Sequence, residues 1–369
     1  MLRTPFHQYH IENHAKMVDF AGWEMPITYG SIIGEHHQVR TSGGIFDVSH
    51  MGRISFKGPD ARRFLERLCT RRVHDMTDGQ CRYSLICNEA GGVKDDILIY
   101  RYGPEDWMLV VNASNRAKLL DHFRSHHGAL DFVMEDLTEK TAMIALQGPK
   151  VIPLVSAVSS EIPALKNYRF CVKSLMLFKA TISRTGYTGE DGVEVILPAS
   201  MASMAVKLML GQAEAAAALK PAGLGARDTL RTEAGMPLYG HEMDENTDPI
   251  SAGLMFGINL DKDQGELGEK FIGMDVLKRI HAEGPKQKLI GLNIEGKRTA
   301  RQGMAIHSAG SPVGRVTSGC MSPTLGRPIA MGYVPAPLSA AGTKLQVELA
   351  PGSFADALVA PLPFYKRPK

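Results

Sequence analysis

One pattern in the chain occurs twice, and it limits the folds available. Ile54-Ser55-Phe56 alternates like a strand and runs into Gly58-Pro59. Ala61 to Leu68 follows with helical spacing, Phe64, Leu65 and Leu68 falling on one face behind a capping Asp60. Then come strand-like Tyr83 to Cys87, a turn at Asn88-Glu89-Ala90-Gly91-Gly92, strands Ile97 to Tyr102 and Trp107 to Val111, and a helix opened by Ser114. Later, Met143-Ile144-Ala145-Leu146 runs into Gly148-Pro149 and an apolar segment from Val151 to Val158. Strand-like Met176 to Ser183, a turn from Thr185 to Gly192, strand Val193 to Leu197 and a Met- and Ala-rich helix capped by Ser200 complete the second copy. Two related α+β lobes with antiparallel sheets are the expected result.

The stretch Leu260 to Gly284 is charged and glycine-containing and reads as a boundary. Short strands with Gly and Pro turns come after it, at Leu289 to Ile294, Met304 to His307, Pro312 to Thr317, Ile329 to Val334 and Leu345 to Leu349. That pattern predicts a C-terminal all-β barrel or sandwich. The expected division is residues 1–275 for the two lobes and 284–369 for the barrel.

The 369 residues carry 42 Lys and Arg against 39 Asp and Glu, a net charge of +3. So even a balance argues against a dedicated nucleic-acid binder. No apolar run approaches membrane-spanning length, and the first residues lack a signal-peptide core. The expected location is the cytoplasm, or the mitochondrial matrix if a transit peptide has been removed. Five scattered cysteines without a C-x-x-C pair point to reduced, buried thiols.

Several chemistries find no motif here: there is no phosphate loop, no H-E-x-x-H helix and no G-x-S-x-G elbow. Gly223-Leu224-Gly225-Ala226-Arg227-Asp228 starts like a dinucleotide fingerprint but lacks its third glycine. His7, His10 and His14 could share a helical face, yet no further ligand cluster completes a metal site, so no metal is assigned.

Two turns read as equivalents in the repeat and are candidates for a shared central cleft: Gly91 to Asp96, and Gly186 to Glu194. Each combines glycines with a carboxylate at a strand entry, although ordinary hairpins have the same composition. Adjacent strand residues point to opposite faces. If Asp95 faces solvent, Asp96 points inward beside Leu98, where a carboxylate takes a proton or steadies positive charge. Arg227 and Arg231 are one helical turn apart. Forked guanidinium groups suit a carboxylated ligand, and they equally suit an internal network with the neighbouring acids.

The chain resembles a known family at Met17-Val18-Asp19-Phe20-Ala21-Gly22-Trp23-Glu24-Met25-Pro26, Phe46-Asp47-Val48-Ser49-His50-Met51-Gly52 and Leu146-Gln147-Gly148-Pro149. The resemblance continues through Thr185 to Gly192, Gly225 to Arg231, Val316 to Cys320 and Ala330 to Val334, in the same order. These segments resemble the glycine cleavage T-proteins, the aminomethyltransferases. The resemblance implies a three-lobed ring around a central folate cleft, with tetrahydrofolate as co-substrate. The lipoylated H-protein of the glycine cleavage system would be the partner, and no nucleic acid or membrane would be involved. By position it implies Asp96 as the catalytic acid and Glu194 as the pterin-binding acid. Tyr83, Asn112, Tyr187 and Arg227 would line the folate site. The C-terminal Tyr365-Lys366-Arg367 receives no role. A related non-catalytic folate binder of iron–sulfur assembly is the alternative. That group carries a K-G-C-x-x-G-[QE] stretch, and the comparable place here, Glu233 to Gly240, has no cysteine. A folate-using demethylating oxidase would need a flavin domain for which there is no room or motif. Lys286, Lys288, Lys297, Arg298 and Arg301 form a basic stretch suited to an acidic carrier protein.

Overall fold

The structure, a computed structural model, describes residues 1–156, 159–175, 178–211 and 213–368. The first lobe is built on a five-stranded sheet. Side by side its strands are Gln80–Cys87, Val93–Gly103, Asp106–Val111, Gly52–Lys57 and Val133–Asp136. The second sheet runs Phe170–Leu175, Phe178–Ser183, Gly192–Pro198, Thr141–Gln147, Gly43–Asp47 and Leu219–Pro221. The first four strands of each sheet have the same order and the same antiparallel sense. The duplication read from the sequence is therefore a duplication of topology. Its Gly-Pro landmarks match in conformation as well: φ is 140° at Gly58 and 137° at Gly148. A Cβ at either position would meet backbone, Asp131 O at 2.7 Å or Ser42 O at 2.5 Å, so only glycine fits.

The layers follow from which residues face which way. Helices Ala61–Leu68 and Arg116–His127 cover the outer face of the first sheet, where Phe64, Leu65, Leu119 and Phe123 pack on Ile54, Phe56, Ile97 and Ile99. Helices Val151–Ser156 and Ala202–Leu210 cover the outer face of the second through Val151, Val155 and Val206. The inner faces meet each other through Tyr100, Met108 and Val110 against Met143, Ala145, Phe170 and Ile196. Hydroxyl pairs stitch that seam, Tyr100 to Ser183 at 3.1 Å and Tyr102 to Thr181 at 2.9 Å. Six further strands close a C-terminal barrel around Leu292, Ile306, Val316, Ala330 and Val347.

Several local expectations need correction. Strand Phe170–Leu175 was not anticipated, because Lys173 and Ser174 interrupt its apolar pattern. Its presence shifts the second unit by one strand. The turn at Asn88 to Gly92 joins the first and second strands of the shared four-strand order, whereas the turn at Thr185 to Asp191 joins the second and third. The two turns are not equivalents. The beginning of the predicted strand, Met176 and Leu177, lies outside the described residues, as do Ala157 and Val158 at the end of the preceding apolar segment. Asp60 does not cap its helix with its side chain; its Oδ2 instead accepts from Asp131 N–H at 2.9 Å. Ser200 sits in a 3₁₀ turn, and two shorter helices, Ala202–Leu210 and Ala213–Ala218, replace the long one. The boundary segment contains a helix, Met274–Glu283, and the last barrel strand, Ser353–Ala360, pairs with both Lys344–Ala350 and Gln287–Ile294 to close the barrel.

Candidate functional site

A cavity of about 1160 Å³ opens between the two inner sheet faces. Helix Leu224–Glu233 and the segment from Ala234 to Phe256 supply further walls. Strand alternation decides which side chains reach it. In Val93–Gly103, Ile97 and Ile99 pack toward the helix layer, so Asp95 points that way too. Asp96 and Leu98 face the opposite side and line the cavity. The inward placement of Asp96 is as expected, but the solvent exposure of Asp95 is not. Asp95 is fully buried, accepting from Asn112 N–H at 2.9 Å, Asn112 Nδ2 at 2.8 Å and Asn115 Nδ2 at 2.6 Å.

Asp96 is held from two directions. Asn112 Nδ2 donates to its Oδ1 at 2.7 Å and Tyr83 Oη to its Oδ2 at 3.2 Å. Burial raises both neighbouring carboxyls above the usual carboxylate range, and the Asp96 charge adds to the rise at Asp95. On the other sheet, Val193 packs outward and Glu194 inward. Thr185 Oγ1 donates to Glu194 Oε2 at 2.5 Å. Burial raises this carboxyl as well, against the pull of Thr185 and the nearby Arg227 charge.

Arg227 and Arg231 divide the two readings left open for them. Arg231 is consumed internally, by Asp228 at 2.8 Å, Glu242 at 2.9 Å and Ser318 at 2.7 Å. Arg227 is half-buried, stacks its guanidinium 4.8 Å from the Tyr187 ring centre, and leaves a buried Nη1 without a partner among the described residues. Tyr187 donates to Pro237 O at 2.5 Å, which fixes the ring under Arg227. All six residues singled out from the sequence, Tyr83, Asp96, Asn112, Tyr187, Glu194 and Arg227, line this one cavity.

The cavity also holds residues that the sequence did not single out. His50 is 3% exposed, its Nδ1 lacks a partner among the described residues, and burial pushes it down to about 4, so the ring is neutral. Phe256 stacks on Tyr83 with ring centres 5.4 Å apart. His50 had a signal, since it lies inside a motif already noted; Phe256 had none. The N-terminal histidines do not converge on one ligand. His7 pairs with Glu24 and His10 with Asp47, each at 2.9 Å, while His14 lies beyond the helix at φ 56°. Among the described residues, no group of three or more His, Cys, Asp or Glu is placed to hold a metal, and no helix is long and apolar enough to cross a membrane. All five cysteines are free and buried.

The sequence matches the family described as the GCVT N-terminal domain over residues 6–262 and the glycine cleavage T-protein C-terminal barrel domain over 287–366. The chain belongs to the glycine cleavage T-protein family. An aminomethyltransferase of Rubrobacter xylanophilus is 47% identical over 367 residues, covering 99% of this chain and 94% of that one. One from Thermotoga maritima is 41% identical, over 99% and 98%. The crystal structure of glycine cleavage system aminomethyltransferase T from Bartonella henselae superposes with a TM-score of 0.91 at 31% identity, covering 99% of this chain and 98% of that one. The three-lobed T-protein architecture, with paired antiparallel lobes and a closed barrel, is thus shared with a solved member of the family.

Proposed function

We propose that this T-protein family member moves a methylene carbon from an aminomethyl group, carried as a thioether on the lipoyl arm of H-protein, to tetrahydrofolate. Family membership supports an aminomethyltransferase and its carrier protein; the folate assignment rests also on the cavity. The observation that carries the folate assignment is the gathering of Asp96, Glu194 and Arg227 around one cavity, with Arg227 Nη1 unpaired among the described residues. Glu194 has one oxygen engaged by Thr185 and a second without a hydrogen bond among the described residues. That oxygen suits the donor edge of an amino-pyrimidinone. The orphaned Arg227 Nη1 suits a carbonyl or carboxylate oxygen. The residues present therefore fit a reduced pterin.

Tetrahydrofolate supplies the two nitrogens that end bonded to the methylene carbon. As those two C–N bonds form, the bonds from carbon to sulfur and to the amino nitrogen break. The two protons lost from folate nitrogen balance those gained by ammonia and by the thiol. In this reading Asp96 orients the attacking nitrogen and offsets the positive charge that develops on nitrogen during attack. Tyr83 and Asn112 fix the carboxylate, and the apolar walls strengthen its field. The test is ammonia release from aminomethyl-loaded H-protein with and without tetrahydrofolate. Release that does not depend on folate, or folate binding without any turnover, sinks the proposal; the latter result is what the non-catalytic folate-binding alternative requires.

A further inference from the structure

Helix Leu224–Glu233, which carries Arg227 to the cavity, begins without a cap of its own. Its N-cap is Gly223 and its third position is Ala226, so neither place of a capping box has a side chain that accepts a hydrogen bond. Buried Glu35, on the neighbouring helix Ile32–Thr41, supplies the missing acceptor: its Oε2 takes the Gly223 N–H at 2.8 Å. The carboxylate also sits at the positive end of the helix it caps. Its other oxygen accepts from Thr28 Oγ1 at 2.6 Å and from Tyr29 N–H at 2.7 Å. One carboxylate thus joins the end of strand Trp23–Thr28 to the start of the helix. The two meet backbone on backbone, since a Cβ at Gly223 would stand 2.5 Å from Ile27 O.

That start fixes Arg227 directly. Gly223 O accepts the Arg227 N–H at 3.1 Å, so the first turn of the helix links the capped residue to the arginine. Among the described residues the Arg227 guanidinium lies on the Tyr187 ring and makes no hydrogen bond, Nη1 being buried and unpaired. The backbone therefore decides where this charge stands. The other end of helix Ile32–Thr41 holds the ring beneath it. Arg40 Nη1 donates to Thr188 O at 2.7 Å and to Glu190 Oε1 at 2.8 Å, beside Tyr187, while Arg40 Nη2 donates to Glu233 Oε2 at 2.9 Å. A helix with no residue in the cavity wall thus sets both members of the Arg227–Tyr187 stack.

We propose that Glu35 is a positioning residue for the folate site, acting through the Gly223 N–H to place Arg227 against the ligand. The inference rests on the reading of Arg227 as a ligand-holding group. A buried carboxylate whose hydrogen bonds all go to two elements admits one arrangement of them, and affinity gains when the receiving group is already in place. Without Glu35 the helix start shifts, and a small shift there displaces the guanidinium from every contact it makes with the ligand.

The test is titration calorimetry of the full chain with tetrahydrofolate, on Glu35→Ala, Glu35→Gln, Arg227→Gln and the double variant Glu35→Ala with Arg227→Gln. Melting curves and turnover at saturating folate are read alongside. Glu35→Ala should raise Kd about tenfold while turnover at saturation falls by no more than about twofold. Glu35→Gln, which keeps one carbonyl acceptor, should recover part of the loss. In the Arg227→Gln background, Glu35→Ala should change Kd by less than about twofold, because the group it positions is gone. A lower melting temperature with unchanged Kd overturns the inference and leaves Glu35 a purely structural cap. Losses that multiply in the double variant overturn it as well, since Glu35 then acts by another route. Where Glu35→Ala fails to fold, Glu35→Gln runs the same cycle. An unchanged Kd in Arg227→Gln alone, or a wild type that binds no folate, defeats the reading of the cavity and this inference with it. Either result is distinct from losses that multiply.

Discussion

The Asn112 side-chain amide donates to Asp96 Oδ1 at 2.7 Å, and the same nitrogen donates to Asp95 Oδ1 at 2.8 Å. One amide thus holds two adjacent carboxylates that face opposite sides of the sheet. Only Asp96 reaches the cavity, so Asp96→Asn should keep the fold and most folate binding while lowering turnover by about a hundredfold to ten-thousandfold. Because burial raises the Asp96 carboxyl, the acid limb of the rate profile should lie above the ordinary carboxylate range, with rate lost as pH falls through it. Steady-state turnover across pH checks both statements. A variant with near wild-type rates rules Asp96 out.

Asp95 should behave in the opposite way. It accepts three N–H bonds at the approach to helix Arg116–His127 and has no access to the cavity. Removing it in Asp95→Ala strands buried donors at about 1–3 kcal/mol each. The expected result is a loss of about 3 kcal/mol or more in chemical denaturation, much greater than for Asp96→Asn. Equal stability of the two variants would contradict this division of labour.

Glu194→Gln should act on affinity. The swap removes the charge and turns one acceptor into a donor facing the ligand's own donors. Folate binding should weaken by about 1.5–3 kcal/mol, roughly ten- to a hundredfold in Kd, with little change in turnover at saturation. Calorimetry with tetrahydrofolate measures it directly, and an unaltered Kd would return Glu194 to the ordinary acids of strand ends.

A buried charge cluster ties the lobes to the barrel and predicts how stability follows pH. Glu233 accepts from Arg40 at 2.9 Å, Thr324 at 2.7 Å and Ser322 at 2.5 Å, with His36 at 3.2 Å. Burial opposes its ionisation, yet His36, Ser322 and Thr324 hold it down to about 2. A carboxyl lowered in the folded state stabilises above its unfolded value of 4.5, and that stability is lost as pH falls toward 2. The contribution is on the order of 3 kcal/mol. Glu233→Gln should therefore melt well below the wild type at pH 6, and the gap should narrow steadily from pH 4.5 down to pH 3. A gap that stays constant would mean that the site does not titrate in this way.

The duplicated lobes and the barrel were legible because they rest on period-two alternation broken by Gly-Pro and Gly-Gly turns, signals that survive without tertiary context. Phe170–Leu175 was missed because Lys173 and Ser174 interrupt the apolar pattern that would mark a strand without its neighbour. The family motifs brought Asp96, Glu194 and Arg227 to one place, but not the orientation of Asp95. The sequence shows that neighbours on a strand alternate, not that the second face is covered by a helix and its Asn112–Asn115 approach. Phe256 was invisible because its meaning depends on stacking against Tyr83, far away in the chain.

The basic stretch from Lys286 to Arg301 shows the same limit and yields the last prediction. Lys286, Lys288, Lys297, Arg298 and Arg301 are all exposed, as a docking face requires. Strand Gln287–Ile294 runs between them, however, so Lys288 stands near its start and Arg298 beyond its end. At about 3.3 Å per residue, the strand from Lys288 to Ile294 spans about 20 Å along the barrel, about twice the screening length near 0.1 M salt. They are two basic patches at opposite ends of one strand. An acidic carrier steered by one patch feels the other weakly. Reversing both Lys288 and Arg298 to Glu should raise the Michaelis constant for loaded H-protein at low salt, leaving folate affinity and melting temperature nearly unchanged. One of the two single reversals should account for nearly all of that rise, and the effect should fade at high salt. Steady-state kinetics with varied H-protein at two salt concentrations reads all three variants. Equal shares from both singles would contradict docking at one end, and no change in the double variant would remove both patches from the docking face.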